Sequence, residues 1–363
     1  MKKKIIVVKV GSNVLTNVQG LPNSPIMESL VDQLALIHQN NYQVILISSG
    51  AVAAGKSLNL SLKKQGTIAQ RQTLAAIGQV QLIQQYKNLF ERHRLLCAQV
   101  LVTKQDFKDR HHYLNMRNCF SSLLENNVVP IVNENDVVAV TELMFTDNDE
   151  LAGLVAAMLK AERLIILSNV DGVFNKNPAE KTAQVIPVIR EGEVNFKDII
   201  STQKSSFGRG GMITKCYNAL KIAGLGVSVY IANGFKKEVL KETVINNKNT
   251  GTYFPAVKQK SNIKTWVATN VDDKKATIYI NEGAEKALLS VKATSLLPIG
   301  IEKIEGAFLK GDVIRICSLK GVELGLGVAR YGKKSALLKL GKSHEPPLVH
   351  YDYLLLHNAS SLG

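Results

Sequence analysis

Short apolar runs alternating with helical stretches predict an α/β fold, a mostly parallel sheet covered by helices on both faces, followed by a smaller β-rich unit. Three observations carry this. β-Branched runs of strand length recur at residues 5–10, 44–47, 95–102, 128–132, 164–167 and 227–231. Helical periodicity fills the gaps: Ile26, Leu30, Leu34 and Ile37 share one face, and residues 68–90 and 151–161 read as further helices. The pattern then changes after Phe254, within a polar, turn-prone stretch at 246–270 whose second half holds Trp266 as its one large anchor.

A chain of 363 residues matches two domains at about 150 residues each. The expected division is a first domain at 1–258, a linker at 259–271 and a second domain at 272–357. In the second, short strands at 276–280, 312–317, 323–331 and 351–357, punctuated by Gly300, Gly306, Gly311 and Gly321, predict a small β-rich barrel.

Hydrophobic residues at 45% and charged residues at 21% exclude wholesale disorder and a collagen-like repeat. The 45 Lys and Arg exceed the 30 Asp and Glu by 15, but the excess is spread along the chain: +11 before Ser261 and +4 after it. The one basic run is Lys2 to Lys4, so no dedicated nucleic-acid tail is present. Cys97, Cys119, Cys216 and Cys317 lie far apart, without metal-binding spacing, and read as buried thiols of a reducing compartment. Lys9 interrupts the first apolar run after Ile5 to Val8, short of the roughly 7 to 15 residues of a secretion signal, and no stretch reaches the roughly 18 of a membrane span. The expected location is the cytoplasm, without membrane attachment.

Four strand ends run into Gly, Ser, Asn or Asp, and ligands of parallel sheets bind beyond those ends. In KVGSNVL, Lys9 sits near the end of an apolar strand and Gly11 opens a turn. An ammonium buried there unpaired costs several kcal/mol, so it requires a carboxylate or an anionic ligand unless it snorkels to water. In ISSGAVAAG, Ser49 and Gly50 precede a helix start whose backbone N–H groups form an anion site. In VVPIVNENDVV and FTDNDEL, Asn133, Glu134, Asn135 and Asp136 lie near Asp147, Asn148 and Asp149. Singly these read as solvated loops; together they suit a charged amino acid or a metal-bound phosphate. In GRGGMITK the glycines free backbone amides to wrap phosphates, with Lys215 as a mobile cation. The common phosphate-loop and dinucleotide fingerprints are absent.

Two lysines, two glycine turns and an acidic cluster make a phosphoryl-transfer site, in which the protein positions the partners and offsets the charge of the moving phosphoryl group. Lys9 and Lys215 supply positive charge, the Gly11 and Gly50 amides donate, and Asp149 is placed to orient both lysines. One well-placed donor of this kind is worth roughly 3 kcal/mol. Mg²⁺ would be held by ATP phosphates and water, with no side chain assigned as metal ligand.

The segments VVKVGSNVLT, ISSGAVAAG, VPIVNENDVV, DNDELA, LIILSNVDGVF and GGMITK, in this order, resemble the amino acid kinase family, most closely its glutamate 5-kinases. INEGAEKALL, TSLLPIGIEKIEGAF, KGDVIRI and GVARY are similar to the PUA domain of the bacterial members. The resemblance implies a three-layer αβα sandwich with a PUA-like barrel, and ATP-dependent phosphorylation of the side-chain carboxylate of L-glutamate, the first step of proline synthesis. It implies proline as feedback inhibitor and a homo-oligomer. By position it gives ATP contacts to Lys9, Ser168, Asn169 and the stretch Gly210, Gly211, Met212, Ile213, Thr214 and Lys215; glutamate contacts to Ser49, Asp136 and Asn148, with Asn133 beside them; and the lysine-orienting role to Asp149. The chain departs from the family at Asn169, usually Asp, at Arg209, usually Thr or Ser, and at Thr146, usually Gly. Acetylglutamate, aspartate, carbamate and UMP kinases would share the lysines and glycine turns. An RNA-binding protein acting through the PUA domain is the reading from another class; with Glu302, Glu305, Glu323 and Glu345 among its lysines, that domain is expected to bind RNA weakly at most.

Overall fold

In the computed structural model the chain divides into two compact units, Met1–Gln259 and Lys260–Gly363. The described residues are 3–58, 66–139, 145, 147–192, 211–257, 276–290 and 294–356. The expected linker at 259–271 and its Trp266 lie outside them.

The first unit is built on seven strands: β1 (Lys4–Val10), β2 (Tyr42–Ser48), β3 (Cys97–Val102), β4 (Val129–Glu134), β5 (Arg163–Ser168), β6 (Ser228–Asn233) and β7 (Gly251–Phe254). They lie in the order β3-β4-β2-β1-β5-β6-β7. Every pairing is parallel except β6 with β7. Nine helices belong to this unit among the described residues: α1 (Ser12–Leu15), α2 (Ser24–Gln39), α3 (Ala51–Lys56), α4 (Thr67–Arg92), α5 (Lys104–Lys108), α6 (Arg110–Glu125), α7 (Asn148–Leu159), α8 (Met212–Ala223) and α9 (Val239–Val244).

Strand periodicity sorts the sheet into two faces. Ile6, Val8, Val10, Val44, Leu46, Ile131, Ile165 and Leu167 join one core with α2, α4 and α9. The alternate positions, Val7, Lys9, Ile45 and Ile47, are buried on the opposite face, where α6, α7 and α8 pack. Lys9 therefore points at α7 because it is one residue out of phase with Val8 and Val10.

α3 and α4 cross with their backbones nearly touching. A Cβ on Gly78 would lie 1.8 Å from the Ala51 carbonyl oxygen, and one on Gly55 would lie 2.1 Å from that of Leu74. Only glycine fits at both crossings, and the contact fixes the turn before α3. Gly50, at the head of that helix, has φ of 111°, a left-handed conformation that a side chain disfavours.

The six expected strands are present, with shifted ends. β3 starts at Cys97 because Arg94 turns the chain at φ 57° and Leu96 faces solvent. β7 falls inside the stretch read as turn-prone: it is short and flanked by Asn and Pro, and its close approach to Ile231 requires Gly251. α7 begins three residues before the expected 151, since Asp147 caps it by accepting from the Asp149 and Glu150 amides, both at 3.0 Å. Against the expectation of four buried thiols, Cys97 is half-buried and Cys119 exposed, the latter because it lies off the face on which Tyr113, Phe120 and Leu124 of α6 are buried.

The second unit carries β8 (Ala276–Ile280), β9 (Ile301–Gly306), β10 (Val313–Ser318), β11 (Glu323–Val328) and β12 (Leu354–Leu356), in the order β12-β11-β10-β8-β9. Helices α10 (Glu282–Leu289) and α11 (Lys333–Lys339) complete it; Leu288 and Ala336 join its core with Ile278, Ile314, Ile316 and Leu324. β9 and both helices were not among the expected elements. β9 is an edge strand whose apolar residues Ile301 and Ile304 lie three apart, because its register against β8 shifts between Tyr279 and Ile280, and each helix is at most eight residues long, too short for a strong period. Tyr351–Tyr353 forms a 3₁₀ turn rather than the start of a strand.

Candidate active site

The carboxyl ends of β1, β2, β4 and β5 point the same way, so the four chain segments that follow them converge at one edge of the sheet. Two groups of side chains meet there, one charged and one neutral.

The charged group is Lys9, Asp149 and Lys215. Lys9 Nζ is 2.6 Å from Asp149 Oδ1, and Lys215 Nζ pairs with Asp149 Oδ2. The side chains are 6%, 0% and 16% exposed for Lys9, Asp149 and Lys215. Burial alone would raise the Asp149 pKa, yet the two ammonium groups hold it down to about 2. Burial lowers the Lys9 pKa, opposed by Asp149 and assisted by Lys215. A Cβ on Gly11 would stand 3.2 Å from Lys9 Nζ, so the absent side chain leaves room beside the ammonium. Lys215 comes from the first turn of α8, whose N-cap is Gly211, with Met212, Ile213 and Thr214 half-buried around it. This places backbone donors of a helix start beside two cations, the chemistry of a polyphosphate site.

The neutral group begins at the neighbouring residue. Asn148 Nδ2 donates to Ser49 Oγ at 2.8 Å and to Asn133 Oδ1 at 3.1 Å. Asn133 Nδ2 donates in turn to Gln79 Oε1 at 3.0 Å. Behind Ser49, the buried Ser48 hydroxyl lies 2.8 Å from the Tyr86 hydroxyl. Asp136, on the loop after β4, is held by Arg71 of α4: Nη2 donates to Oδ1 at 2.9 Å.

Ser168 is buried at the end of β5 and Asn169 is exposed beside it. Among the described residues no hydrogen bond or ion pair joins either to the lysines. Nearby, Asp171 accepts from Asn233 at 2.8 Å and pairs with Lys236 at 3.1 Å. Gly210, Arg209 and Thr146 lie outside the described residues.

Gln79, Arg71 and Tyr86, all on α4, were missed as neighbours of the site. Gln79 and Tyr86 carried a signal, since each sets a polar group on an apolar helix face next to Leu82. Asp147 Oδ1 takes the helix cap, while the buried Oδ2 has no hydrogen-bond partner among the described residues. Burial, with Asp149 nearby, pushes the Asp147 pKa up.

Residues 4–233 match the model of the amino acid kinase family. The chain belongs to the amino acid kinase family. Residues 276–346 match the PUA domain. A glutamate 5-kinase of Chlorobaculum tepidum is 49% identical over 353 residues, covering 97% of each chain. One of Bacteroides thetaiotaomicron is 45% identical, covering 97% of this chain and 98% of its own. A solved isopentenyl phosphate kinase shares the family fold at TM-score 0.50 and 16% identity, over 69% of this chain and 99% of its own. The three-layer α/β architecture and the separate β-rich unit agree with these matches, and membership makes the chain a kinase. No described helix is long and apolar enough to cross a membrane.

Proposed function

We propose that the chain transfers the γ-phosphoryl group of ATP to the side-chain carboxylate of L-glutamate, giving an acyl phosphate and ADP. The observation that carries this reading is the pair of ammonium groups, buried Lys9 and half-buried Lys215, shared between the two oxygens of Asp149. An ionised carboxylate attacking a polyphosphate needs no base, since it is deprotonated at neutral pH; its barrier is the repulsion between two anions. A carboxylate oxygen of the acceptor forms the new bond to phosphorus while the bond from phosphorus to the β,γ-bridging oxygen breaks. Lys9 and Lys215 offset the charge carried through that step, and Asp149 keeps both ammonium groups aimed before it begins.

The nucleotide phosphates would lie against Gly11, Gly211 to Lys215 and Lys9, with Ser168 and Asn169 beside the nucleoside portion. The acceptor would lie over Ser49, Asn133, Asp136 and Asn148, where hydroxyl, amide and carboxylate groups match a zwitterion. Mg²⁺ would be carried by the ATP phosphates, with Asp147 Oδ2, buried and without a hydrogen-bond partner among the described residues, as an acceptor for its hydration shell. The bound ion would supply further neutralisation of phosphate charge. Proline, which also has an α-carboxylate and an amine, would compete for the acceptor group.

The test is a hydroxylamine trap: protein, Mg²⁺ and ATP should yield γ-glutamyl hydroxamate from L-glutamate, with saturating glutamate relieving inhibition by proline. Equal turnover of acetylglutamate or aspartate would overturn the substrate assignment.

A further inference from the structure

Arg71 plays no part in the phosphoryl transfer described above, yet its guanidinium is bonded to the one carboxylate assigned to the acceptor, Asp136. The pair spans two distant segments: the first turns of α4 and the loop after β4. Its register is held from the next position as well, since Gln72 Nε2 donates to the Val137 carbonyl at 2.7 Å. The two partners differ in their access to water. The Asp136 side chain is 13% exposed, whereas that of Arg71 is 39% exposed. A guanidinium carries five N–H donors in a planar fork, one of which here goes to Asp136. A second planar anion can therefore meet the open edge without breaking the first bond.

A free α-amino acid places an ammonium and a carboxylate on one carbon, so its recognition needs an anion and a cation side by side. Lys9 and Lys215 are both turned onto Asp149 at the phosphate end, and Ser49, Asn133 and Asn148 are neutral. We infer that Arg71 binds the α-carboxylate of the acceptor while Asp136 binds its ammonium, so that the pair selects a free α-amino acid. This rests on the reading of the site as one that phosphorylates glutamate. The ligand replaces water on both partners while their mutual bond is kept, so the loop is already in its binding position before the acceptor arrives.

The probe is the α-amide of L-glutamate, which keeps the ammonium and the reacting γ-carboxylate but loses the α-carboxylate charge. Steady-state kinetics of both acceptors would be compared for wild type, Arg71→Gln and Arg71→Lys. In wild type the α-amide should have a KM higher than glutamate by a factor on the order of 10 to 100, the worth of a charged hydrogen bond. Arg71→Gln should raise the KM of glutamate by a similar factor, leave that of the α-amide within about threefold, and change kcat by less than about threefold. Arg71→Lys should recover part of the loss. An equal rise in KM for both acceptors would show that Arg71 only clamps the loop, and an unchanged KM for glutamate would show no role; either result overturns the inference. Thermal melting reports folding of the variants. If Arg71→Gln does not fold, the wild-type comparison decides, because equal KM values for the two acceptors overturn the inference by themselves. Wild type inactive toward glutamate in the hydroxamate trap would instead overturn the underlying reading, before any variant is considered.

Discussion

Asn148 and Asp149 are neighbours on the first turn of α7, yet their side chains enter opposite environments. Asp149 is fully buried between two ammonium groups. Asn148 joins a chain of neutral donors and acceptors running from Ser49 through Asn133 to Gln79. Successive helical residues point about 100° apart, so one turn serves two halves of the site. The charged half resists dissection, because removing one partner leaves a buried charge uncompensated, at a cost of about 3 to 5 kcal/mol. The neutral half offers hydrogen bonds each worth about 1 kcal/mol. Groups aimed at a moving charge act on kcat, and groups that hold the acceptor in the ground state act on KM.

The sharpest way to break this contrast is to remove the cations. Lys9→Met and Lys215→Ala should each lower kcat by at least about a hundredfold. Single-turnover kinetics with saturating ATP and glutamate would measure it, with circular dichroism to confirm folding. Wild-type turnover in either variant would make that lysine structural.

Asn148→Ala tests the other half, with a smaller expected effect: a rise of about tenfold in the KM of glutamate, with kcat changed by less than about threefold. If kcat fell instead as far as in the lysine variants, the two halves would act as one unit.

The acid limb of stability separates them further. The folded Asp149 pKa lies near 2, below its ordinary value of 3.8. A depressed carboxylate pKa stabilises the fold fully above the unfolded value, and this contribution is lost as pH falls from about 4 through about 2. Asp149→Asn should be less stable than wild type at pH 5, and the gap in urea midpoint should narrow steadily toward pH 2.5. A constant gap would show that the carboxylate charge contributes nothing to folding.

The smallest effect is expected from removing the second unit, because both halves of the site lie within Met1–Gln259. A chain ending at Gln259 should remain folded and keep kcat within about threefold of the full-length value, measured by the same trap. Loss of activity in a folded truncation would show that Lys260–Gly363 completes the site.

Much of this organisation is legible in the chain because its signals are local. Strand runs, glycine turns and the segments ending in Lys9, Ser49, Asp136 and Asn148 show themselves within about ten residues each, as does the conflict of an ammonium in an apolar strand. β7 escaped notice because a four-residue edge strand among Asn, Gly and Pro has too few positions to show a period. The short helices of the second unit escape for the same reason, and β9 because its register shift breaks the two-residue alternation.

The sequence by itself determined the two units, the parallel order of local elements, the glycine turns at the strand ends and the need of Lys9 for an anion. Only the tertiary structure decided the remaining pairings. Asp149 is legible from the sequence as the partner of both lysines; the structure adds that Asp147 Oδ1 caps α7, so the helix turns Asp149 toward them. Arg71 and Gln79 lie on a helix that reads as core, yet they reach partners 65 and 54 residues away, because the Gly55 and Gly78 crossing brings α4 against the turn before α3. Strand period and turn chemistry depend on neighbours along the chain. The partner of a buried charge depends on which distant segments the sheet order brings to one edge, and that order is settled by packing.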